Sequence, residues 1–78
     1  MVQNKEIIKK IKHDIGNELP WLMLRNFEFR SRKNIIFIKA VHIYKRDLIK
    51  VEKIAKKHLT NEKRLAIHGL TMENSLKW

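Results

Sequence analysis

Apolar residues recur every three or four positions at the start of this chain, alternate in its middle, and return to the three-to-four spacing after Arg46. That change of period limits the fold more than any single motif, because a helical pattern cannot sit in a strand, nor an alternating one in a helix. Ile7, Ile8, Ile11, Ile15 and Leu19 line one face of a helix expected from Asn4 to Leu19. Asn4 is its expected N-cap, and Gly16-Asn17 followed by Pro20 its expected stop. Phe27-Glu28-Phe29-Arg30 alternates as a half-buried strand does, and Ile35 to Tyr44 is β-branched and aromatic enough for a second. Lys33-Asn34 between them reads as a hairpin turn, with Asn34 tolerating the positive φ such turns need. Leu48, Val51, Ile54, Ala55, His58 and Leu59 mark a second helix from Arg46 to Leu59, with Asp47 opposing its positive end and Thr60-Asn61 closing it. A short strand from Arg64 to Leu70 follows, and Met72 to Trp78 reads as a polar, flexible tail.

The order α-β-β-α-β leads to an α+β class. One small domain is expected over residues 1–78, with a three-stranded antiparallel-type sheet covered on one face by two helices. A two-residue turn at Lys33-Asn34 sets Arg32 against Ile35, Phe29 against Ile38 and Phe27 against Ala40. The core face then carries Met23, Phe27, Phe29, Ile36, Ile38, Ala40 and Tyr44. The outer face carries Leu24, Glu28, Arg30, Arg32, Ile35, Phe37, Lys39, Val41 and Ile43. A slip of one residue would push Lys39 into the core, so the pattern selects this register.

Charge is the strongest functional signal: 18 Lys and Arg against 8 Asp and Glu, a net +10. So large an excess on so small a surface favours acidic partners, nucleic acid first. Lys45 to Thr60 holds six cations against two carboxylates. On a helical wheel Arg46, Lys50, Lys53, Lys56 and Lys57 fall opposite Leu48, Val51, Ala55 and Leu59, a cationic ridge. A face that only confers solubility usually mixes both signs, and this one does not. Arg30, Arg32, Lys33 and Lys39 surround Phe37 on the hairpin, where a base can stack while cations hold phosphates. Ile35, Val41 and Ile43 on the same face offer the competing use, a homodimer or docking surface.

Other chemistry finds little support. Cysteine is absent, which removes disulfides, thiolate metal sites and thiol nucleophiles. The four histidines, His13, His42, His58 and His68, form no pair at ligand spacing, although His42 and His68 would approach if their strands paired. Glycine occurs only at 16 and 69, so no phosphate-binding loop is present, and Ser31 and Ser75 lack an elbow context. A catalytic reading reduces to a small basic ribonuclease using His42, with Arg25 opposite and Tyr44 nearby. No cofactor is expected. No apolar run reaches the roughly 20 residues needed to cross a bilayer, and the N-terminus lacks a leader-like apolar stretch, which leads to an intracellular, cytoplasmic expectation.

Three resemblances cover about half the chain each. The element order resembles a KH-like arrangement, without the Gly-x-x-Gly loop that clamps nucleotides there. Phe29 to Ile38, with His42 and Ile67-His68 beyond, is similar to the cytosolic domain of cation diffusion facilitators, which implies a metal-responsive dimer; acidic ligands are scarce here. Ile38-Lys39-Ala40 before a basic helix resembles Alba-type chromatin proteins, without their glycine. None assigns a family. The functional expectation is a small, sequence-tolerant nucleic-acid-binding protein driven by phosphate contacts, for RNA or within a ribonucleoprotein. The alternative is a regulator or inhibitor, such as a mobile element would encode, that docks on an acidic or nucleic-acid-bound protein.

Overall fold

The computed structural model describes residues 3–72, so most of the expected tail, 73–78, lies outside the described residues. Helix α1 spans Asn4–Glu18, strand β1 Phe27–Arg32, strand β2 Ile35–Tyr44, helix α2 Lys45–Lys57 and strand β3 Arg64–Met72, with a short 3-10 turn at Leu24–Asn26. Together they make a small α+β domain in the expected order, with both helices on one face of a three-stranded sheet. No helix among the described residues is long and apolar enough to cross a membrane.

The sheet is mixed, which corrects the antiparallel expectation. β1 pairs with β2 antiparallel, in the register Phe27 with Ala40, Phe29 with Ile38 and Arg32 with Ile35. β2 pairs with β3 parallel, Ile36 beside Leu65, Ile38 beside Ile67 and Ala40 beside Gly69. The physical reason is the connection: α2 carries the chain back along the sheet, so β3 must run in the direction of β2. β2 therefore lies in the middle, and β1 and β3 are both edges.

Three elements supply the core. Ile7, Ile11, Ile15 and Leu19 come from α1 and the residue that ends it, Ile36, Ile38, Ala40 and Ile43 from β2, and Val51, Ile54 and Ala55 from α2. Steps of four on α1 and two on β2 are the two periods that point successive side chains the same way. Phe27 and Phe29 stack at 5.8 Å between ring centres and pack against the margin of this core. α2 approaches β3 closely: a Cβ at Gly69 would lie 2.7 Å from Leu48 Cδ2.

The core face departs from expectation beyond Ala40. The pairing shifts between Val41 and Ile43, and His42, with a φ of 55°, is the extra residue of a bulge. The bulge reverses the alternation, so Ile43 is buried while Tyr44 is 39% exposed. Met23 and Leu24, placed on opposite faces by extending the strand backwards, both lie exposed before β1 begins. Histidine is among the residues that enter this left-handed region most readily, at a cost of roughly 1–2 kcal/mol.

Two local expectations change at the helix ends. Gln3, not Asn4, occupies the N-cap of α1 and makes no side-chain cap. Asn4 Nδ2 instead donates to the Lys33 carbonyl at 2.7 Å, and Lys63 Nζ donates to Asn4 Oδ1 at 2.7 Å. Asn34 Nδ2 donates to the Glu62 carbonyl at 3.1 Å, while the Arg64 N–H donates to the Asn34 carbonyl at 2.7 Å. These bonds fasten the start of α1, the hairpin turn and the entry to β3. Asn34 is used as a bridge, and the positive φ of the turn, 54°, falls on Lys33. The stop of α1 is Pro20 rather than Gly16-Asn17, since the helix runs through both to Glu18. α2 likewise ends at Lys57, before Thr60-Asn61, which belong to the turn into β3. Asp47, in the first turn of α2, is only 2% exposed and accepts a hydrogen bond from Trp21 Nε1 at 3.1 Å.

The helices are joined by His58 Nε2 and Asp14 Oδ2, which share a hydrogen bond. That bond is the largest cause holding the Asp14 carboxyl below its ordinary 3.8, helped by the nearby positive charges of His58 and Lys57. A carboxyl that binds protons less readily when folded adds stability above its ordinary pKa, and loses it as pH falls through the lowered value. Asp14→Asn is expected to lower the melting temperature at neutral pH, with the gap from the parent closing in strong acid; thermal scans from neutral to acid pH read this. Gly16 has nothing within 4 Å of a built Cβ and no positive φ. Gly16→Ala should therefore stabilise the domain by about 0.5–1 kcal/mol in urea denaturation.

Candidate nucleic-acid interface

One face of the sheet is closed by the helices and the other is open. On the open face the pairing lays side chains in rows across three strands. Arg32, Ile35 and Arg64 form the row nearest the hairpin turn; Arg30, Phe37 and Ala66 form the next; Glu28, Lys39 and His68 the third. Phe37 stands on the middle strand, 39% exposed. Ala66 beside it is small, so the ring is flanked by a shallow cavity of about 510 Å³ whose lining includes Arg30, Lys39, Ala66 and His68. A planar group has room there to lie against the ring.

The electrostatics of this face are one-sided. Arg30, Arg32, Lys39 and Arg64 are exposed, and Glu28 is the carboxylate among them. Glu28 pairs with Arg30 at 2.5 Å and lies opposite Lys39 across the strands. Both partners of that pair are open to water, where such contacts contribute about 0–1 kcal/mol. A phosphate can therefore compete for Arg30 at little cost. Lys33 occupies the turn at the end of the same face, next to Arg32.

The ten expected site residues do not form one surface. Arg30, Arg32, Lys33, Phe37 and Lys39 belong to the open face and its rim. Arg46, Lys50, Lys53, Lys56 and Lys57 are all exposed, on α2, which packs against the opposite face of the sheet. The sheet and the core stand between the two groups. Several of the helix cations are engaged: Lys56 with Glu52 at 3.5 Å, Lys57 with Glu18 at 3.2 Å, Arg46 over the Tyr44 ring and Lys50 over the Trp21 ring.

Arg64, Ala66 and His68 were absent from the expected site. Their place follows from the parallel pairing of β3, and the hint of it in the sequence was a helix-length connection, long enough for the crossover that parallel strands need. Ile43, expected on the open face, has left it for the core. The apolar share of that face is therefore Ile35, Phe37, Val41 and Ala66, with Leu70 at its far end, 60% exposed.

The remaining candidates are dispersed. His68 lies level with Lys39, and His42 sits in the bulge further along the sheet, so pairing the strands does not align them. His13 contacts Asn17, and His58 contacts Asp14. Among the described residues no group of three His, Cys, Asp or Glu could hold a metal ion. Arg25 lies in the 3-10 turn, with its guanidinium 3.6 Å from Met23 Sδ, while the Arg46 guanidinium lies over the Tyr44 ring, 5.9 Å from its centre. His42 borders a cavity of about 220 Å³ with Trp21, Met23 and Asn26.

A scan against models of known protein families and a search of curated proteins both find no match to this chain.

Adjacent residues on β2 should respond oppositely to truncation. Ile38→Ala empties a buried site and is expected to cost about 2–5 kcal/mol, whereas Phe37→Ala, on the open face, should cost less than about 1 kcal/mol. Urea denaturation of the two variants checks this; equal losses would mean that Phe37 is covered.

Proposed function

We infer that this chain binds single-stranded nucleic acid, RNA preferred, on the open face of its sheet. The observation that carries the reading is Phe37 half-exposed on the middle strand among four Arg and Lys side chains from three strands, with one carboxylate between them. A base stacked on an exposed ring contributes about 1–3 kcal/mol, whatever its identity. Arg30, Arg32, Lys39 and Arg64 then meet the phosphates on either side of it. RNA is favoured because its loops and ends present unstacked bases. Stacking and phosphate contacts both tolerate sequence, so the chain would grip strands without reading them.

A second reading rests on the exposed Leu70, with the half-buried Val41 beside it, at the far end of that face: a docked protein would cover them. A second copy of this chain would bring like charges together across the sheet, which argues against a homodimer there. An acidic partner, alone or within a ribonucleoprotein, would not meet that repulsion.

Fluorescence anisotropy with labelled single-stranded RNA, duplex RNA and duplex DNA, repeated across salt, tests the reading. Single strands should bind with a log–log salt slope of about −3, as expected for four phosphate contacts. Phe37→Ala should weaken binding about five- to a hundred-fold, and Arg30→Ala with Arg64→Ala should flatten the slope by about 1.4. If single strands do not bind even at low salt, the face serves a protein instead.

A further inference from the structure

The cations of α2 face away from the proposed strand-binding surface, and a strand lying on the sheet cannot reach them directly. They need a separate account. Arg46, Lys50, Lys53 and Lys57 follow one another at steps of four, three and four, which places them in a single stripe. Lys57 is held by Glu18, and the two lie in a groove of about 440 Å³ with Leu19, Lys50, Lys53 and Ile54. Lys50 and Lys53 have no carboxylate partner among the described residues. The helix carries no aromatic residue of its own, and the two rings beside it, Tyr44 and Trp21, lie under the Arg46 and Lys50 cations. What the stripe offers is a row of cations about 16 Å long, given the 1.5 Å rise per residue. A nucleic-acid duplex presents about one phosphate charge per 1.7 Å of its axis, dense enough to engage every member of such a row.

We propose that the domain is bivalent, holding a single strand on its open sheet face while α2 grips the phosphate backbone of a duplex, and so bridges the two. The proposal rests on the sheet-face reading for its first half. A helix is about 10–12 Å across with its side chains, more than the roughly 8 Å over which charges are felt at physiological salt. Repulsion between phosphates on the two sides is therefore largely screened, and both sites can fill together. The ligand on each side is set by what that side has: an open ring for bases on the sheet, and on the helix a row of cations whose neighbouring rings are taken up by Arg46 and Lys50. A single chain would hold a strand beside a stem, as at a junction in folded RNA.

The test uses the whole chain with a short unstructured RNA strand carrying a donor dye and a blunt RNA duplex carrying an acceptor. Energy transfer should appear when protein is added at equal concentration. Native mass spectrometry should find one chain, one strand and one duplex. Lys50→Glu with Lys53→Glu, both exposed and checked for folding by circular dichroism, should abolish the transfer and weaken duplex binding at least about ten-fold. Its single-strand affinity at physiological salt should stay within about two-fold of the parent.

Displacement of the bound strand by duplex would overturn bivalency and leave the sheet-face reading standing, as would a complex that needs two chains. Duplex affinity unaffected by the charge reversal would also overturn it, because the duplex would then be held elsewhere. Failure of the single strand to bind the parent chain would remove both the bridge and the reading beneath it.

Discussion

A middle strand has two faces and two neighbours, and in this domain β2 must satisfy all four. Its backbone is paired on both sides, antiparallel with β1 and parallel with β3. One face, Ile36, Ile38, Ala40 and Ile43, is sealed by both helices. Once α1 and α2 lie against that face, none of the described segments is left to cover the other. Burial of the first face, at roughly 25 cal/mol for each Å² removed from water, holds the fold together. The second face is the open ground on which side chains are free to serve a partner.

Fixing the core to one side also fixes where charge can go. Positions that alternate with Ile36 and Ile38 must face outward, and they hold Ile35, Phe37 and Lys39; those beside them include Arg64, Arg30 and His68. The helices obey the same rule with a different period, so α2 buries Val51, Ile54 and Ala55 and turns its lysines outward. A chain of net +10 cannot gather that charge on one surface if every element has a buried side. Two separated cationic faces are the geometric result. The buried Asp47 is the exception that fits: the positive end of α2 and the Trp21 N–H compensate it.

The element order, the hairpin and its register were legible because each rests on a period in the sequence. Ile7, Ile11 and Ile15 could only line a helix, and Lys39 barred the alternative register. Less visible was anything set by contacts distant along the chain. Asn4 and Asn34 look like a cap and a turn residue, and both are spent on bridges to the hairpin turn and to the entry of β3. The bulge at His42 has no period to announce it, and it moved Ile43 into the core and Tyr44 out. Half of the candidate site was readable from the hairpin alone. Arg64, Ala66 and His68 required the direction of β3, which is a property of topology rather than of local spacing.

Both borders of the sheet are edges, and their open-face residues are mostly polar or small: Glu28, Arg30 and Arg32 on β1, Arg64, Ala66 and His68 on β3, with Leu70 the apolar exception at the far end. An unpaired edge is a template on which another chain can add a strand, and cations placed along it are a common safeguard against self-association. The same arginines would thus guard the protein from its own copies whenever no ligand is present. Neutralising them to loosen a ligand would also unguard the edge. Under the proposed binding role, tolerance to change at these positions would be set by two pressures, adhesion and solubility, acting on the same side chains.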